Sequence, residues 1–262
     1  MKQDDDIRAV LYSFDVCYFL LFMLVFYIIP YPIYRTIAHR YGWETNAKTM
    51  TRHWSDFFNG LSYGLILFIF GNYTNTLNWV TLAAFYPSLI AYALIAELPF
   101  TRTSLPRIRS WPKGMWVVFI LAVAVILVFA GYHIYLGSLL PEPFLYFYVG
   151  ALAIPAAILA SSFALSKEVN SNWCRTKLAQ WKRKKVGSDD DEATSLLQPD
   201  VVVASPYSRN VSIHLHHWQI FYVLAFFTRF DDVVSQVGAG IVLACYMEGI
   251  CAYGYDSLVN DS

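Results

Sequence analysis

The sequence predicts an all-α, polytopic integral membrane helix bundle of about seven transmembrane helices, with the N-terminus lumenal or outside and the C-terminus cytosolic. Three observations carry that prediction. Of 262 residues, 57% are hydrophobic and only 15% are charged, where soluble domains carry roughly 25% charged residues. The apolar residues gather in runs approaching the ~20 residues needed to cross a bilayer, giving a mean hydropathy of +0.42. Basic residues collect in alternate loops, as a threading chain requires.

Taken in order, the expected spans are 12–34, 57–71, 79–98, 115–136, 144–165, 213–227 and 233–253. The first stops at the breaker Pro30-Tyr31-Pro32. It is too long and aromatic, and lacks a small-residue cleavage site, so it reads as a retained helix. The second is short, and the third stops at Pro99. The last two form a hairpin across the polar turn Thr228-Arg229-Phe230-Asp231-Asp232. There an aspartate is expected to cap the final helix and Arg229 to pair with it.

Loop charges orient the bundle. The loop 35–56 holds Arg35, Arg40, Lys48 and Arg52, and the loop 100–114 holds Arg102, Arg107, Arg109 and Lys113. The segments 72–78 and 137–143 hold no basic residue, and Asp4-Asp5-Asp6 fits the outer side. The expected organisation is therefore 1–165 (helices one to five), 166–212 (a cytosolic basic and acidic loop, partly disordered) and 213–262 (a helical hairpin with a short cytosolic tail). The lipid bilayer is the obligatory partner. A net charge of zero gives no support for nucleic-acid binding.

Four scattered cysteines make no disulfide framework. Cys174 is near enough to a span for acylation. Asn72-Tyr73-Thr74 is a glycosylation sequon hugging the membrane. The long loop interleaves Trp173 and Trp181 with basic residues and runs through Lys182-Arg183-Lys184-Lys185, which suits anionic lipids. Farther on, Glu192 with Leu196 and Leu197 resembles an acidic dileucine sorting signal. Gly254-Tyr255 with Leu258 resembles a tyrosine-based one. Clathrin adaptors read such signals, and the pair implies an endosomal, lysosomal or vacuolar membrane, with other endomembranes or the plasma membrane as alternatives.

Ionisable residues within spans are costly and are functional candidates by default. Here they are Asp15, Glu97, His133, the cluster His214-Leu215-His216-His217, and Glu248. His214 and Glu248 lie equally far from Asp231, so a hairpin of helices puts them at one depth. A helix reaching back to His214 places His214, His217, Trp218 and Phe221 on one face, with Gly238 and Gly240 allowing close approach of the two backbones. His214, His216, His217 and Glu248 are the expected site, joined by His53, Asp56 or Glu97. Imidazoles and a carboxylate at one depth bind zinc or iron, or relay protons.

The histidine cluster resembles the boxes of membrane di-iron desaturases, but six histidines in total leave no second box. Three function classes follow: a metal or proton-handling membrane protein, a transporter of endolysosomal membranes, and a non-catalytic scaffold.

Overall fold

The computed structural model describes residues 8–101, 109–186 and 204–261. The chain is mostly helical, and five of its helices are long and apolar enough to cross a membrane: Val16–Tyr41, Trp79–Ala96, Lys113–Ser138, Phe144–Ser171 and Val233–Ala252. Two of the seven expected spans are absent from that set, and each has a physical reason. Helix α3 (Met50–Phe70) is 21 residues long, but its first two turns carry Arg52, His53 and Asp56. It starts seven residues before the expected 57 because Thr49 caps it, accepting from the Arg52 N–H at 3.2 Å. Helix α10 (His217–Ala225) has only nine residues, a rise of about 13 Å.

The first span does not stop at its prolines. Helix α1 (Val16–Met23) passes through a π-helical turn, Leu24–Ile28, into α2 (Pro30–Tyr41). Proline lacks an N–H and crowds the preceding turn. The backbone widens to absorb this, with the Ile29 N–H reaching the Leu24 carbonyl at 2.9 Å. Gly42, at φ +67, closes α2 by donating to the Ala38 carbonyl. The remaining helices are α4 (Tyr73–Thr76), α5 (Trp79–Ala96), α6 (Lys113–Ser138), α7 (Phe144–Gly150), α8 (Ala153–Ser171), α9 (Trp173–Val186) and α11 (Val233–Ala252).

Two compact units emerge, one of residues 1–152 and 216–256, the other of 153–215 and 257–262. In the first, α11 is the central post, buried along most of its length. It packs on α5, α10 and α2. Gly240 makes the α5 contact possible: a Cβ there would lie 2.5 Å from the Thr81 carbonyl and 2.7 Å from Ala84 Cβ. The expected close approach of α10 and α11 occurs instead at Gly249, where a Cβ would meet His217 Nε2 at 2.6 Å. Gly60 and Gly64, one turn apart on α3, receive the Tyr27 ring and Met23 Sδ. Close to the start of α11, Leu136, Phe144, Tyr148 and Phe230 form a smaller apolar cluster. Apart from His133, Leu136 and Gly137 near its end, α6 buries no residue.

The second unit contains the one departure from an all-helical chain among the described residues. Strand β1 (Val211–Ile213) pairs antiparallel with β2 (Val259–Asp261), Ser212 opposite Asn260. Residue 213 therefore ends a strand and does not begin a helix. The side chain of Asn170 in α8 brackets Val211 of β1, accepting from its N–H at 2.8 Å and donating to its carbonyl at 2.7 Å.

Candidate functional site

One group of polar residues in the first unit gathers at the C-terminal end of α11. Helix α10 brings His217 in its first turn, α2 brings Tyr34, and α11 brings Glu248 one turn from its end. Glu248 is 2% exposed. Its two oxygens have separate partners: Tyr34 donates its hydroxyl to Oε1 at 2.9 Å, and His217 Nε2 lies 3.1 Å from Oε2. The His217 side chain is 33% exposed, so the imidazole links the bundle's end to a carboxylate sealed inside it. The rings of Tyr92 and Tyr253 flank the imidazole at 5.9 and 5.8 Å between centroids. The indole of Trp218 and Cys245 are buried close by.

A second polar cluster adjoins the first. Asp56, also 2% exposed, accepts Lys48 Nζ at 2.9 Å, Arg52 Nε at 3.2 Å and the Tyr255 N–H at 3.1 Å. Lys48 also donates to the Ile250 carbonyl at 3.0 Å and to the Tyr31 hydroxyl at 3.3 Å. Tyr31 in turn lies 2.8 Å from His53 Nδ1. Burial lowers the Lys48 pKa below the usual lysine value, against the pull of Asp56. Asn46, Ala47, Lys48, Arg52, Tyr253 and Asp256 line a polar cleft of about 260 Å³. Tyr253 belongs to both places: it lines the cleft and stands edge-on to His217.

The expected histidine set is brought together only in part. Of the histidines expected near Glu248, His217 is the one that meets it, three residues along the chain from the equal-depth position at 214. His216 caps α10, its N–H donating to Gln219 Oε1 at 3.1 Å. His214 lies beyond β1 in the second unit, exposed, with Nδ1 3.2 Å from Ser212 Oγ. The helix begins at 217, so His214 is not on its face. Among the described residues, no three His, Cys, Asp or Glu side chains gather as a metal ion needs. The zinc or iron reading thereby loses its third ligand. Glu97 ends α5 and accepts the Glu44 N–H at 2.6 Å. His53 and Asp56 belong to the neighbouring cluster.

The two sorting-like motifs fare differently. Glu192, Leu196 and Leu197 lie outside the described residues. Tyr255 is buried, stacked on Tyr63 at 5.2 Å and edge-on to Trp218 at 5.1 Å, its hydroxyl bonded to Tyr246. It is a packing residue, not an accessible tail tyrosine, and Leu258 gives its carbonyl to the His214 N–H. Asn72 is fully buried, accepting from Ser13 and donating to the Arg229 carbonyl, so its sequon is closed in the folded chain. Sequence reading missed Tyr34, took Lys48 as a loop charge only and took Tyr255 as a tail signal, because Tyr34 and Tyr255 find their partners in distant segments and Lys48 reaches the Ile250 carbonyl across 202 residues.

A chain with five spanning-length apolar helices and a buried polar cluster at one end of its central helix is a multi-pass membrane protein. Compared with known proteins, it matches no family model, no curated protein and no solved structure.

Proposed function

We propose that this is a proton-handling membrane protein, with Glu248 holding the proton, His217 passing it to and from the end of the bundle, and Tyr34 fixing the carboxylate. One observation carries the reading: a carboxylate buried to 2% touches a partly exposed imidazole at 3.1 Å. A carboxylate inside a span is costly to keep charged. An imidazole titrates near neutral pH and has two ring nitrogens, so it can take a proton on one side and deliver it on the other. The imidazole's own exposure lets water reach it, and the cleft lies on the far side of the Tyr253 ring. Proton movement through such a pair is the chemistry that drives a coupled transporter.

The test is proton flux into vesicles that contain the purified chain and a trapped pH dye, driven by an imposed membrane potential. Wild type is expected to acidify the lumen. Glu248→Gln, which keeps the Tyr34 hydrogen bond, should abolish the flux, and His217→Ala should slow it by ~10²-fold, the size of a lost proton-transfer group. Undiminished flux in Glu248→Gln, or no flux in wild type, overturns the reading.

A static alternative has its own observation: both Glu248 oxygens are already satisfied within the fold. A purely structural Glu248 would lower the melting temperature on substitution and leave no flux to lose.

A further inference from the structure

Helix α8 is the end of the apolar span Phe144–Ser171, and a single residue separates it from α9. That residue, Asn172, takes φ 53, where the α8 helix breaks and the chain turns. Glu168 then accepts the Cys174 N–H, which puts a carboxylate at the N-terminus of α9 where the helix dipole favours it. Helix α9 therefore starts where a bilayer-crossing helix ends, within reach of the headgroups.

Its composition is one-sided in charge. Arg175, Lys177, Lys182, Arg183, Lys184 and Lys185 are six cations in fourteen residues, with no acid. Trp173, Lys177 and Trp181 recur every fourth residue and so share a face, with Cys174 and Leu178 beside them. That face points outward: Trp173 is 40%, Leu178 51% and Trp181 58% exposed. Lys167 lies 4.5 Å over the Trp173 ring, so the cations and the indoles are already interleaved. Topology alone would explain the charges. It does not explain two tryptophans and a leucine held outward among them. Indoles favour the headgroup level, and lysines bury their stems while presenting ammonium groups to phosphate.

We propose that α9 lies flat on the leaflet from which α8 emerges and binds acidic phospholipid headgroups. Lys177 and Lys182 contact phosphate, and Trp173, Leu178 and Trp181 enter the interface. The occupant is an anionic lipid surface, chosen by charge complementarity and by the chain's own attachment to the bilayer.

Cys174 supplies the probe. With Cys17→Ser, it is the exposed thiol of the chain, because Cys245 and Cys251 are buried. The full chain, carrying an environment-sensitive dye on Cys174, is reconstituted in vesicles of phosphatidylcholine with or without phosphatidylserine. Blue-shifted emission is expected only with phosphatidylserine, reversed by high salt. Each basic residue near such a surface strengthens docking about fivefold, so Lys177→Glu with Lys182→Glu should remove the shift and leave the melting temperature unchanged. Equal emission in both lipids overturns the proposal. So does a shift that survives both salt and the double variant, which would mean that α9 is covered by protein.

Discussion

Arg229 sits between α10 and α11 with only 5% of its surface exposed. Its guanidinium donates to the carbonyls of Phe226 at 3.0 Å, Leu11 at 3.3 Å and Phe70, and lies 5.8 Å over the Tyr148 ring. Phe70 is the last residue of α3, and Phe226 follows the last residue of α10. One cation thus neutralises the negative ends of two helices and ties a third segment to them. The aspartates expected to pair with it are engaged elsewhere. Asp232 caps α11, accepting from the Ser235 N–H at 3.1 Å and the Tyr132 hydroxyl at 3.0 Å, and Asp231 accepts from Gln236. A cation and two acids in one turn read as an ion pair, because a sequence does not show which carbonyls a fold leaves open. Lysine has the charge but not the planar fork of donors. Arg229→Lys is therefore expected to cost about 1–3 kcal/mol, the worth of charge-assisted hydrogen bonds, read as a lower melting temperature in detergent.

Among whole helices, the small residues decide which pairs touch. Gly240 leaves no room for a methyl group against the α5 backbone. Gly131, in the exposed length of α6, has nothing within 4 Å of where its Cβ would be. Gly240→Ala should destabilise the bundle by about 1–3 kcal/mol, the range for overpacking a tight contact. Gly131→Ala should be neutral or gain up to ~1 kcal/mol from helix propensity. Paired denaturation curves check both, and equal effects would contradict the packing. Most helices were legible from apolar length alone, and Thr49, Asn78 and Asp232 cap as their types suggest. The register of contacts was not legible. Gly238 and Gly240 were visible in the sequence, but not that Gly240 faces α5 and Gly238 the ring of Phe129. The π-helical turn was hidden for a similar reason, since proline announces a disturbance without saying how the backbone resolves it.

Over the first unit, residues 253–256, which follow α11, belong to the core. Gly254 adopts φ +90 and crowds the Asp56 carboxylate. Asp256 pairs with Arg52 at 2.7 Å, and Tyr255 fills a pocket of aromatic rings. Tyr255→Ala should cost about 3–5 kcal/mol, as for other buried aromatic truncations. A variant that melts like wild type yet is missorted in cells would show instead that the tyrosine is read as a signal. The membrane character was legible from apolar length; rise per residue alone put Glu248 at the depth of His214, whereas its partner is His217, because α10 begins only at 217. The two clusters around Asp56 and Arg229 were not legible, since each joins segments more than 150 residues apart.

Helix α6 shows the opposite economy. Val117, Ile120, Leu121, Val125, Leu127 and Val128 all stand outward, and only His133, Leu136 and Gly137 near its end are buried. His133 is held there by the Phe129 carbonyl and Ser235. Most of this helix therefore carries little information about its own neighbours. Any apolar residue spells the same message to a bilayer, and what is specific to this protein is written in the last two turns.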